Sequence, residues 1–158
     1  MADALSPGST RTSRVIKASS EALYRAFTDP AALAVWLAPD QMTATVHEFD
    51  GRVGGGYQMS LFYPLSEQVY RGKTSEREDR FTARFVELTP PTRIIQAITF
   101  DSADPTVAGE MSMTVTFEER DSVTEVTILF EQIPPGIQPE DNDAGTRSSL
   151  EKLARYVE

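Results

Sequence analysis

His47 is the chain's only histidine, and the chain contains no cysteine. A histidine can move a proton near neutral pH, provided a second group orients it. On a strand, His47 would share a face with Thr45 and Phe49, while Glu48 would point the other way. The sequence therefore supplies no orienting partner, and no second histidine stands nearby to complete a metal pair. A surface or structural histidine is the reading that follows, and no catalytic residue is assigned. Without cysteine there is no disulfide, thiolate nucleophile or thiolate metal site. No metal and no cofactor are expected.

Gly54-Gly55-Gly56 beside Arg52 suggests a phosphate cradle. A phosphate loop needs fixed glycine spacing, a Lys-Ser/Thr pair and a following helix, whereas residues 57–63 alternate as a strand. Glycines beside a strand make a tight turn or a bulge. Gly72-Lys73-Thr74 mimics the end of a nucleotide loop, but the position that needs its first glycine holds Glu67. Glu76, Glu78 and Asp79 imitate a carboxylate site. Interleaved with Arg77 and Arg80, they read as a solvated charged loop.

The more informative set is apolar. Tyr57, Met59, Leu61, Phe81, Phe85, Met113, Phe117 and Phe130 fall on alternating positions, which any half-buried sheet shows. They make either a solid core or the wall of a pocket. Methionines adapt to irregular ligands, and Trp36, Tyr57 and Gln96 would add polar tips to an apolar space. Gln96 is diagnostic. Between Ile94 and Ile98 on a period of two it is a buried amide that needs a partner, a ligand or water being one. If the strand is buried through Ile95 and Ala97 instead, Gln96 is exposed. The candidate ligand-binding residues are Trp36, Tyr57, Met59, Leu61, Phe85, Gln96, Met113, Phe130, Leu150 and Leu153.

The elements that must position these residues are legible in order. Residues 1–11 lack periodicity and read as a disordered tail. A first strand over 12–18 is followed by a short helix capped by Ser19, with Leu23, Ala26 and Phe27 on one face. A second helix has Asp29 as cap, Pro30 at its first position, and Leu33, Trp36 and Leu37 as its buried face. Period-two runs then predict six strands: residues 43–49, residues 57–63, and runs around Phe81–Phe85, Ile94–Phe100, Met111–Phe117 and Val126–Phe130. Short gaps favour antiparallel neighbours. The polar connection over 64–79 is a candidate lid.

Over 139–158, Thr146, Leu150, Leu153, Ala154 and Val157 make the stripe of an amphipathic helix. The order strand, two short helices, six strands, long helix predicts an α+β helix-grip fold. In it a curved antiparallel sheet wraps the C-terminal helix, and a gap between them would be a cavity.

At 158 residues with 40% hydrophobic and 25% charged composition, one domain is expected. The net charge of −9 opposes a phosphate backbone, so nucleic acid is excluded as a partner. No apolar run reaches the roughly 18 residues of a membrane span, and the N-terminus lacks the pattern of a signal peptide. A cytoplasmic protein is the simplest reading.

Trp36 at the end of the second helix, Asp50-Gly51-Arg52-Val53-Gly54-Gly55, Pro90-Pro91-Thr92-Arg93-Ile94 and Ala144-Gly145-Thr146-Arg147-Ser148-Ser149-Leu150 together resemble the START-like superfamily. This superfamily, also called SRPBCC, is similar to the birch-pollen-allergen fold. Within it the chain resembles the family named for the C-terminal domain of the activator of the ninety-kilodalton heat-shock ATPase. That family often carries Trp where Thr146 stands here. The resemblance covers residues 12–158 as one START-like domain. It implies a small hydrophobic or aromatic molecule bound between sheet and final helix. Two alternatives stay open: a cyclase- or hydrolase-like enzyme using the same cavity, and a chaperone-linked interaction domain. A homodimer is a further partner to test. The family's co-chaperones carry an additional N-terminal domain that this chain lacks, which argues against ATPase activation.

Overall fold

The computed structural model describes residues 8–39, 41–63, 78–102 and 104–158. Two side-chain caps set the first turns of the chain. Ser19 Oγ accepts from the Ala22 N–H at 3.1 Å and starts α1 (Ser20–Phe27). An Asp29 carboxylate oxygen accepts from the Ala31 N–H at 3.0 Å and starts α2 (Pro30–Trp36), with Pro30 at its first position. Each cap satisfies a donor that a helix start would otherwise leave unpaired.

Strand β1 (Thr10–Ile16) precedes these helices. After them come β2 (Thr43–Asp50), β3 (Gly56–Phe62), β4 (Glu78–Thr89), β5 (Arg93–Phe100), β6 (Glu110–Arg120), β7 (Val123–Glu131) and the long helix α3 (Pro139–Val157). The strands form one seven-stranded sheet in the order β1-β7-β6-β5-β4-β3-β2, and every neighbouring pair is antiparallel. The sheet is curved, and with its three helices it is the α+β helix-grip arrangement expected from the sequence. β1 and β2 stand at opposite edges, joined in the chain by α1 and α2.

Register carries the inner face across the sheet. Tyr57 pairs with Ala83, Met59 with Phe81, Phe85 with Gln96, Gln96 with Met113, and Met113 with Phe130. Fully burying a side chain of Leu or Phe size stabilises by about 1.5–3 kcal/mol. In the core, Phe27 meets Phe117 and Trp36 edge-on, at centroid distances of 5.4 and 4.6 Å. Leu150, Leu153 and Ala154 of α3 are buried in the same core.

Three local expectations are corrected. β1 begins at Thr10 and ends at Ile16, because Thr10 pairs with Phe130 and is itself buried, so residues 10 and 11 belong to the sheet and not to a tail. Residues 1–7 of the expected tail lie outside the described residues. Leu37 is half-buried against the core, where Ala32 joins Leu33 and Trp36 as a fully buried residue. β4 begins at Glu78, so Glu78 and Asp79 are strand residues and not part of a solvated connection. The rest of the 64–79 connection, with Gly72-Lys73-Thr74, Glu76 and Arg77, lies outside the described residues.

Candidate functional site

Where the first half of α3 faces the sheet, the side chains leave a cavity of about 270 Å³. The sheet lines it with inner-face residues: Tyr57 and Leu61, Asp79 and Phe81, Ile98 and Phe100, Met111 and Met113, Ile128 and Phe130. Trp36 of α2 contributes, and α3 contributes Asp141, Asn142, Ala144, Gly145, Thr146 and Ser149. The small α3 side chains keep the space open, since nothing large projects from this turn of the helix toward Met113 and Phe130. One turn on, Leu150 and Leu153 restore close packing.

The ten residues singled out in the sequence therefore divide. Trp36, Tyr57, Leu61, Met113 and Phe130 line the cavity. Met59, Phe85, Gln96, Leu150 and Leu153 are buried in the surrounding core. Met59 and Phe85 share the inner face but stand behind the cavity wall. Leu150 and Leu153 belong to the tightly packed half of α3.

The polar groups around the cavity are mostly committed. The Trp36 indole N–H donates to the Ala26 carbonyl at 2.9 Å, so its ring alone is offered to the space. Ser149 donates to the Leu37 carbonyl at 2.6 Å, Thr146 to the Asn142 carbonyl at 2.7 Å, and Asn142 Nδ2 to Thr10 Oγ1 at 3.1 Å. Tyr57 donates its hydroxyl to Gln96 Oε1 at 3.3 Å. Burial raises the Tyr57 phenol above its ordinary range, with the Gln96 bond acting in the opposite direction. Tyr57 is therefore a neutral donor throughout the physiological range. Gln96 is 1% exposed, and its Nε2 is buried without a hydrogen-bond partner. The buried register for β5 is thus the one adopted.

Asp79 was missed by the sequence reading. It is 3% exposed, lines the cavity and accepts the Tyr63 hydroxyl at 2.9 Å. The signal was present, because Asp79 stands two residues before Phe81, in phase with Ala83 and Phe85. Surrounding charges hid it. Among the other lining residues overlooked, Ile98, Phe100, Met111 and Ile128 continue the same alternations.

His47 has the orienting partner that the sequence did not show. The register slips between Val46 and Glu48, leaving His47 out of the ladder and turning it to the face of Ser60. His47 Nε2 lies 2.8 Å from Ser60 Oγ, and Ser60 in turn donates to Glu78. A hydroxyl has one proton to give, so His47 is the donor in its bond. Arg80 Nε reaches both Ser60 and Glu78, at 3.4 and 3.2 Å. This cluster lies on the outer face, opposite in parity to Met59, and Ser60 is fully buried. Its serine gives its proton to a carboxylate and not to the histidine, the reverse of a nucleophile's arrangement.

The glycines make a backbone contact and no phosphate cradle. Gly54 N–H is held by the Phe85 carbonyl at 2.9 Å, and Gly55 N–H by the Arg52 carbonyl at 2.8 Å. Gly56 has φ +150°, and a Cβ there would stand 1.9 Å from the Ala83 carbonyl oxygen. Only glycine allows β3 to approach β4 so closely.

Comparison with known proteins places the chain. The family model of Activator of Hsp90 ATPase homolog 1-like protein matches residues 17–158. The crystal structure of a protein from Chromobacterium violaceum is 36% identical, covering 96% of this chain and 98% of that one, with a TM-score of 0.84. The solution structure of an AHSA1-like protein from Aeromonas hydrophila is 22% identical over 94% of this chain and 92% of its own, with a TM-score of 0.68. A Staphylococcus epidermidis protein of 19% identity shares the fold at a TM-score of 0.77, over 99% of this chain and 93% of its own. Comparison with curated proteins gives no match. No helix among the described residues is long and apolar enough to cross a membrane. The chain belongs to the Activator of Hsp90 ATPase homolog 1-like family, within the START-like superfamily.

Proposed function

We propose that this domain binds a small hydrophobic or aromatic molecule in the cavity between the sheet and α3. The observation that carries the reading is the cavity itself, about 270 Å³ walled mainly by aromatic, aliphatic and Met side chains. A mostly apolar concavity with a few polar groups is the usual form of a small-molecule site. The Tyr57 ring in the wall is held in place by its hydroxyl's bond to Gln96 behind it, which keeps that part of the wall preformed. Native mass spectrometry of freshly purified protein tests the reading. A co-purified small molecule, or uptake of an apolar aromatic from a mixture, is expected. Refusal of every apolar aromatic offered would overturn it.

The second reading, a cyclase- or hydrolase-like enzyme, draws on one feature. Asp79 with the Tyr63 hydroxyl is a carboxylate–phenol pair at the cavity wall, able to exchange a proton with a bound substrate. It offers acid–base chemistry and no covalent step, because the histidine–serine contact lies on the other face of the sheet. Binding thus comes first in either reading.

A further inference from the structure

β1 is an edge strand: it is bonded to β7 on one side, and among the described residues no strand pairs with its other side. Ser13, Arg14 and Val15 are exposed in succession, so neither face of the strand is covered there. Beside them lies a groove of about 640 Å³ that shares no lining residue with the cavity. β1 lines it with Thr12, Ser13 and Arg14, and α3 with Arg147, Lys152 and Arg155. Four of these groups are cations, in a chain of net charge −9. Among the described residues that line the groove, Glu151 is the one carboxylate.

The cations are engaged to different degrees. Arg147 pairs with Asp143 at 2.8 Å, Arg155 pairs with Glu151, and Lys152 donates to the Ala38 carbonyl. Both arginine pairs are exposed and four residues apart on the helix, a kind of pair that is weakly held. A guanidinium has five N–H donors, so each arginine can take a second carboxylate without giving up the first. The Arg14 guanidinium has no hydrogen bond or ion pair among the described residues.

An unpaired strand edge is a template for another chain. In a strand laid along β1, every second side chain falls on the Arg14 side, toward Arg147 and Arg155. The others fall beside Ser13 and Val15. A second copy of β1 would bring Arg14 against the same cations, which like-charge repulsion disfavours. The net charge of −9 repels an acidic partner at long range, but within a Debye length of about 8 Å the groove's own cations dominate.

We infer that the groove between β1 and α3 takes an extended acidic segment of a partner protein, added as a strand to β1 with alternate carboxylates facing α3. This does not depend on the cavity reading. The test is fluorescence polarisation of a labelled peptide as long as β1, 7 residues, alternating Glu and Val. It should bind at least about tenfold more tightly than its Lys–Val counterpart, and N-methylation of its backbone should remove the binding. Arg14→Glu and Arg155→Glu, both at exposed positions and checked by far-UV circular dichroism, should each weaken it severalfold. Arg14→Ala serves if Arg14→Glu does not fold. Equal binding of the Lys–Val peptide, undiminished binding by the folded Arg14 variant, or no binding at all overturns the inference. An N-methylated peptide that binds as well as the unmodified one, and is displaced by tripolyphosphate, makes the groove a small-anion site and also overturns it. A dimer in sedimentation that Arg14→Glu dissociates would put a second copy in the groove, with the same consequence.

Discussion

The Tyr57 hydroxyl donates to Gln96 Oε1 at 3.3 Å within the inner face of the sheet, and Gln96 Nε2 is left buried with no partner. This half-satisfied pair stands directly behind the cavity wall, of which the Tyr57 ring is part. A neutral amide and phenol buried together are costly to separate and cheap to replace jointly.

Tyr57→Phe alone should therefore cost about 1–3 kcal/mol, because it strands the Gln96 oxygen as well. Combined with Gln96→Leu, the loss should be smaller than the sum of the two single losses. A double-mutant cycle in urea measures the difference, and strict additivity would show that the pair does not interact.

The solid half of α3 gives a second expectation. Leu150 and Leu153 are 1% and 0% exposed, so each change to Ala should cost about 2–5 kcal/mol. Losses below about 0.5 kcal/mol at both positions, a surface-like response, would contradict the placement of α3 against the sheet.

How much of this could be read beforehand depends on what a linear pattern encodes. Period-two alternation located the six strands that follow the second helix, and Ser19, Asp29 and Pro30 fixed both short helices, because those signals are local. The position of the cavity along α3 is not local. Thr146 and Leu150 lie on one stripe, yet Thr146 borders open space and Leu150 does not. That difference arises from side-chain size on α3, with Ala144, Gly145, Thr146 and Ser149 along the cavity and Leu150 and Leu153 filling the next turn. His47 escaped for a related reason. A bulge between Val46 and Glu48 breaks the parity on which its neighbours were judged. Asp79 is in phase with Phe81, but its own charge and those of Glu76, Arg77, Glu78 and Arg80 around it mask that signal.

The outer-face cluster makes the third expectation. His47→Ala should leave probe binding in the cavity within about twofold of native, since His47 bonds to Ser60 on the opposite face from Met59. A loss of roughly 10²-fold in any activity eventually assigned, the size of a lost acid–base group, would show that the outer face takes part in the chemistry.

A pH dependence follows from the contact between α3 and β1. Thr12 donates to Asp143 at 2.6 Å, and Arg147 Nε adds a second bond at 2.8 Å. The Thr12 bond first, and Arg147 after it, hold the Asp143 carboxyl below its ordinary value. A depressed folded-state pKa stabilises the fold above the unfolded value of about 3.9 and is lost as pH falls through the folded one. Below about pH 4, native protein should lose stability faster than Thr12→Val, which lacks the largest contributor. Equal acid slopes for the two would show that Asp143 does not report on this contact.

Titration with N-phenyl-1-naphthylamine tests most directly whether the cavity is a binding site. Native protein and Thr146→Trp are compared, with far-UV circular dichroism confirming that the variant is folded. Thr146 lines the cavity from α3, so an indole there would occupy much of the 270 Å³. Saturable binding by the native protein, and binding weakened at least about tenfold in the folded variant, is the predicted result, as for a site whose apolar contacts are displaced. Equal binding by both, or none by either, would contradict it.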